Sequence, residues 1–147
     1  VPDARLPPRS GLDGKPMIIV HGRNDCRVPV SFSSRPNVGL NSVQEGGRSQ
    51  PRYIEVTNAE HFDTDLPSFE TRMVPLVIYH LRALDLMWDH LTTGARLPES
   101  QVVRTTPRGG EPGTAPPLDA RNVPQIPAQP RSEDRITVHD GRVIIPD

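Results

Sequence analysis

The sequence predicts an α/β chain: two parallel strands joined by a helix, a long terminal helix, then a Pro-rich arm and a β-hairpin. Three observations carry this expectation. Two short runs rich in β-branched residues, PMIIVHG and RYIEVTN, lie about one crossover apart. A helical apolar stripe follows them, and an Asp-Gly pair sits between two alternating segments at the end.

Residues 1–15 are dominated by Pro, Gly and charge and read as a loop. The run 16–22 is continuously apolar through Ile18, Ile19 and Val20 and is bounded by Pro16 and Gly22. That pattern suits a strand buried on both faces of a parallel sheet. Between Val28 and Val43, Pro29 and Pro36 restrict helix to short pieces. One helix is expected from near Asn37, closed by Gly46-Gly47. Residues 52–58 alternate and contain Tyr53, Ile54 and Val56, which predicts the second strand.

From Thr71 to Leu91, the residues Val77, Leu81, Leu84, Trp88 and Leu91 recur at spacings of three and four. One apolar face of a helix results, expected to pack on the sheet. Pro75 is compatible only with the first turn, so the start is expected near Arg72 or Val74, and Gly94 sits where a C-terminal cap belongs. Residues 98–135 show no sustained period and read as an extended arm. The last segment, RITVHDGRVIIPD, alternates on both sides of Asp140-Gly141, the signal of a two-residue type I′ hairpin. A lone hairpin is marginal, so this one is expected to dock on the body. The chain thus divides into 1–97, 98–135 and 136–147.

Composition narrows the function. The 147 residues include 18 prolines and are 34% hydrophobic, so part of the chain lies outside any core. The 17 basic and 18 acidic residues are intermixed, leaving no basic stripe to follow a phosphate backbone; nucleic acid is not expected as a partner. No apolar run approaches the roughly 20 residues of a spanning helix, so no membrane partner is expected. The N-terminus has neither an initiator Met nor a signal-peptide core and reads as the interior of a longer protein. One cysteine, Cys26, cannot form an internal disulfide and leaves the compartment open.

The order strand, Asp25, helix, strand, His61, long helix puts an acid and a histidine on neighbouring loops, at the carboxyl ends of adjacent parallel strands. The two lie 36 positions apart, enough for one helix and one strand. A Ser-His-Asp relay needs such an acid to fix the imidazole tautomer and such a histidine to take the serine proton. In the chain order Ser, Asp, His the nucleophile lies upstream. Ser10 sits in RSGLD, and no G-x-S-x-G elbow occurs in these residues. Local physics also offers plainer roles: Asp25 as a turn or capping acid, His61 as a loop histidine.

A resemblance weighs on the choice. HGRNDCRVPV, YIEVTNAEHFDT, VPLVIYHLRALDLMWDHL and SQVVRTTPRGG together resemble the C-terminal region of the D-(−)-3-hydroxybutyrate oligomer hydrolases, from about Gly14 to about Pro130. The resemblance implies an α/β-hydrolase-like serine esterase that cleaves short 3-hydroxybutyrate esters through an acyl-enzyme. The acid of HGxxD falls on Asp25 and the histidine of NAxHF on His61. The serine is expected in an upstream part of the same protein, and the isolated chain is expected to be inactive. A more distant similarity, to tannases and feruloyl esterases, shares HGxxD but brackets acid and histidine with two cysteines. Here Cys26 follows Asp25 while Phe62 follows His61. A tannase-like hydrolase of aromatic esters stays an alternative, as does a non-catalytic binding or assembly module.

Other residues have simpler readings. His21 is expected to pack or bond to backbone, and His80 and His90, ten positions apart, to be solvated. His61 and Asp63 lack a third ligand, so neither metal nor cofactor is expected. Cys26 adjoins the proposed acid and is expected to be inert. The basic run 102–110 reads as a solvated arm wrapping the body, and the oligomeric state is left open.

Overall fold

The computed structural model describes residues 11–48 and 51–147; the N-terminal stretch with Ser10, expected to be a loop, lies outside them. In chain order the elements are β1 (Met17–Gly22), α1 (Ser34–Glu45), β2 (Pro51–Val56), the short α2 (Leu66–Phe69), α3 (Val77–Thr93), β3 (Gln101–Val103), β4 (Thr137–His139) and β5 (Arg142–Ile144).

The sheet has three parallel strands in the order β1-β2-β3, not two. β1 runs beside β2 from Met17 opposite Pro51 to Gly22 opposite Val56. The third strand comes from the segment expected to be an irregular arm. Its three residues are fully buried and pair with Ile54 to Val56. A strand so short, set among prolines, leaves no periodic trace.

Alternation along the strands divides the core into two layers. Ile54, Val56 and Val103 face one side, where Tyr79 of α3, Val74, Leu76 and Ile126 cover them, with Ile18, Val20 and Leu86 at the margin. Tyr53 and Val102 face the other, against Val38 of α1 and Ile136, with Ile19, Val138 and Val143 at the margin. As an outer strand, β1 is only half-buried along most of its length, short of the two-sided burial expected.

Helix α1 starts at Ser34, before the expected Asn37, and Pro36 sits in its first turn. There the amide that proline lacks has no intrahelical partner anyway. Its end is as expected, with Gly46 in positive φ. Helix α3 begins at Val77, later than Arg72 or Val74. The amide of Val74 instead bonds the Asn58 carbonyl at 2.7 Å, and those of Leu76 and Val77 bond the Asp63 carboxylate at 2.7 and 2.9 Å. Asp63 is therefore the cap that fixes the start, while Gly94 in the left-handed region ends the helix.

The face of α3 turned to the sheet is not the expected one. Tyr79 and Ala83 are buried and Leu86 is half-buried. Val77, Leu81, Leu84, Trp88 and Leu91 lie 48–68% exposed on the opposite side. The helix is apolar on two faces, and the longer stripe is the outer one. His80 is exposed, whereas His90 bonds the Ala95 carbonyl at 2.7 Å beyond the helix end.

The arm and hairpin wrap the body. The Tyr79 hydroxyl and the Arg82 guanidinium donate to the Pro124 carbonyl at 3.1 and 2.7 Å. The arginines of 102–110 are paired within the chain, Arg104 with Asp134 at 2.5 Å and Arg108 with Glu70 at 3.2 Å. The hairpin forms at Asp140 and Gly141, both in positive φ as a type I′ turn requires. Gly39 of α1 lies directly beneath the turn, where any Cβ would overlap the Gly141 carbonyl. No helix among the described residues is long and apolar enough to cross a membrane.

Candidate active site

The parallel pairing ends β1 and β2 together, so the loops that follow emerge side by side. They are stitched by backbone bonds: Arg23 N–H to the Val56 carbonyl at 2.7 Å and Asn24 N–H to the Ala59 carbonyl at 3.0 Å. The Asn24 side-chain oxygen accepts from the Asn58 amide at 3.0 Å. Gly22 permits this closeness, because a Cβ there would lie 2.6 Å from the Ala59 carbonyl carbon and 2.8 Å from the Glu60 oxygen.

Asp25 lies in the first loop and is only 4% exposed. Its Oδ1 accepts from the Arg27 and Val28 amides at 2.9 and 2.8 Å. Its Oδ2 accepts from His61 Nδ1 at 2.6 Å and from His21 Nε2 at 2.9 Å. Burial pushes the carboxyl pKa up; the Val28 amide, His61, His21 and the Arg27 amide outweigh that and hold it below the usual value of 3.8. The group is an ionised carboxylate with every bond aimed at it.

An ionised carboxylate only accepts, so the proton between it and His61 sits on Nδ1. The neutral ring then carries its lone pair on Nε2, which makes no hydrogen bond to any described residue. The His61 side chain is 30% exposed, with its ring edge-on to Phe62 at a centroid distance of 4.2 Å. Chemically this is a base with a fixed tautomer, open to an outside proton donor.

The structure thus joins the two residues singled out in the sequence and adds a third. His21 was expected to pack or to bond to backbone. Its Nε2 does bond the Val28 carbonyl at 3.0 Å, and also Asp25. Both partners accept, so that nitrogen carries the proton. The signal was inside the HGxxD pattern: His21 and Asp25 flank a turn that folds the chain back on itself.

Asp63 serves α3 rather than a ligand set, and no group of three or more His, Cys, Asp or Glu among the described residues is placed to hold a metal. Cys26 is exposed, and its amide donates to Glu60 at 3.2 Å.

Fold and site together define an α/β protein with a carboxylate–histidine pair at the carboxyl ends of adjacent parallel strands. The family model of the 3HB-oligomer hydrolases matches residues 6–147, and the chain belongs to that family. It is 56% identical over 141 residues to a D-(−)-3-hydroxybutyrate oligomer hydrolase of Azoarcus sp. (strain BH72), covering 92% of this chain and 20% of that protein. Proteins of the same name from Paracidovorax citrulli and Burkholderia lata are 51% and 52% identical, covering 92% and 93% of this chain and 20% of each relative. The chain therefore spans about a fifth of the length of these relatives. No solved structure matches it.

Proposed function

We propose that this chain is the acid-and-base segment of a serine esterase that hydrolyses D-3-hydroxybutyrate dimers and short oligomers to the monomer, built on an α/β-hydrolase framework. In this reading Asp25 holds the His61 tautomer and stabilises the imidazolium. His61 Nε2 takes the proton of a serine outside the chain as that oxygen attacks the ester carbonyl. The same nitrogen then returns the proton to the departing 3-hydroxy oxygen, leaving an acyl-enzyme for water to cleave.

The single observation that supports the relay most is the 2.6 Å bond from His61 Nδ1 to Asp25 with Nε2 left open. Substrate class comes from the names of the relatives. Esterase assay of the 147-residue chain and of the full-length protein on the hydroxybutyrate dimer tests both parts. Turnover by the chain alone overturns the external serine. Preference of the full-length enzyme for a feruloyl or galloyl ester overturns the substrate class in favour of the tannase-like alternative.

A further inference from the structure

One buried ionised cluster has no part in the relay. Glu55, in the middle of the sheet on β2, is fully buried. Its Oε1 meets Arg23 Nε at 2.5 Å and Arg35 Nη2 at 2.7 Å; its Oε2 accepts from the Tyr53 hydroxyl at 2.7 Å and from Arg35 Nε at 3.0 Å. Ser34 donates to the Tyr53 oxygen at 2.9 Å. Burial alone disfavours the charged carboxylate, but Arg35, Tyr53 and Arg23 more than compensate and hold its pKa below the usual 4.5.

Arg23 links this cluster to two other places. In the chain it stands between His21 and Asp25, inside the acid loop. In space its Nη2 donates to the Pro146 carbonyl at 3.0 Å, just after β5. The end of the hairpin is fastened again where Arg104 donates to the Asp147 carbonyl, and its turn rests on Gly39. Sheet, helix α1 and hairpin therefore converge on one side chain of the acid loop.

We propose that Arg23 is a positioning residue for the Asp25–His61 pair, and that the C-terminal hairpin is the brace that holds Arg23. This rests on the relay described under the proposed function. Backbone bonds from Arg23 and Asn24 pin the loop to the β2 side only. The guanidinium supplies the hold on the opposite face of the sheet, and it uses both ends of its planar fork at once. Lysine, a single point charge, reaches Glu55 or Pro146 but not both.

The test compares Arg23→Lys, Arg23→Met and removal of everything from Pro146 onward, in the full-length protein and in the 147-residue chain. With hydroxybutyrate dimer as substrate, each change lowers kcat roughly 10- to 100-fold with KM nearly unchanged, as for a reacting group misplaced by a fraction of an ångström. Losses in Arg23→Met combined with the truncation are less than multiplicative, because both remove the Arg23–Pro146 link, while the truncation alone also removes the Asp147 carbonyl held by Arg104. In the 147-residue chain, the low-field proton resonance of His61 Nδ1–H moves upfield in all three variants, while thermal melting confirms that each is folded at the measuring temperature.

An unmoved resonance with unchanged kcat in the folded variants overturns the proposal, as do multiplicative losses in the combined variant. If Arg23→Met does not fold, Arg23→Lys and the truncation carry the test. Full activity of an Asp25→Asn enzyme overturns the relay instead, and the resonance then still decides whether Arg23 and the hairpin set the pair.

Discussion

Gly22 and Ala59 meet backbone to backbone, and a Cβ at Gly22 would lie 2.6 Å from the Ala59 carbonyl carbon, inside the space between the loops that carry the acid and the histidine. Gly22→Ala pushes the loops apart by at least the overlap of one methyl group. The expected cost is about 1–3 kcal/mol, the range for overpacking, read by urea denaturation of the 147-residue chain. Under the proposed relay, activity of the full-length protein on the hydroxybutyrate dimer is expected to fall with it, since the Asp25–His61 bond joins the same two loops. A variant as stable as the wild type refutes the contact.

Replacement of the acid itself separates chemistry from folding. Asp25→Asn keeps an oxygen for the Arg27 and Val28 amides but presents an NH₂ group to two imidazole nitrogens that now donate. His61 is driven to the other tautomer, with its proton on the nitrogen that should be free. We expect kcat on the hydroxybutyrate dimer to fall about 10⁴-fold in the full-length enzyme, with little change in KM. Steady-state kinetics checks the split.

Acid sensitivity follows from the same carboxylate. Asp25 and Glu55 both have folded pKa values below their ordinary 3.8 and 4.5. For each, the unfolded chain binds protons first as the pH falls. Their stabilisation is complete above the ordinary values and is lost progressively as the pH drops through the lower folded values. Melting temperatures of the 147-residue chain should therefore be flat from neutral pH down to about pH 5 as far as these two groups are concerned, then fall. The drop should be shallower for Asp25→Asn, measured by circular dichroism from pH 7 to pH 2.

Helix α3 allows a direct comparison of its two faces. Leu84→Gln and Trp88→Gln, on the outer stripe, should each change the stability of the 147-residue chain by no more than about 0.5 kcal/mol. Ala83→Asp, one position from Leu84, puts a charge against the sheet and should melt the fold or lower its midpoint sharply. Equal losses at positions 83 and 84 contradict the orientation of the helix.

Asp63→Ala removes the acceptor for the amides of Leu76, just before α3, and Val77, its first residue. A cap of this kind is worth about 1 kcal/mol, within a range of 0.5–2. The loss should appear as faster amide exchange at Leu76 and Val77, with the C-terminal turn at Gly94 unaffected.

Local pattern made much of this legible. The β-branched runs located β1 and β2 within a residue or two, and Asp140-Gly141 located the hairpin turn; Asp25 and His61, which the fold brings together, were singled out by element order and by the family resemblance that HGxxD and NAxHF carry, not by local pattern alone. What stayed hidden depends on contacts far apart in the chain. Gln101–Val103 becomes a strand only because β2 offers it a free edge. Periodicity found α3 but chose the wrong face, since a helix with Tyr79, Ala83 and Leu86 on one side and five apolar residues on the other satisfies the same spacing twice. Pro36 and Pro75 were read for what proline forbids; a first turn tolerated one, and Asp63 drew the helix start past the other. Arg23 gives no sequence signal, because its partners lie 32 and 123 positions away.

The outer edge of β1 has a practical meaning of its own. Among the described residues, β1 pairs on one side only, and its other side is a six-residue row of alternate donors and acceptors in an apolar sequence. Such a row is a template for any extended segment that meets it. Purified alone, the chain is expected to be a colloid with a sticky rim: monodisperse when dilute, growing into strand-linked assemblies as concentration rises. Storage at low micromolar concentration would keep it usable.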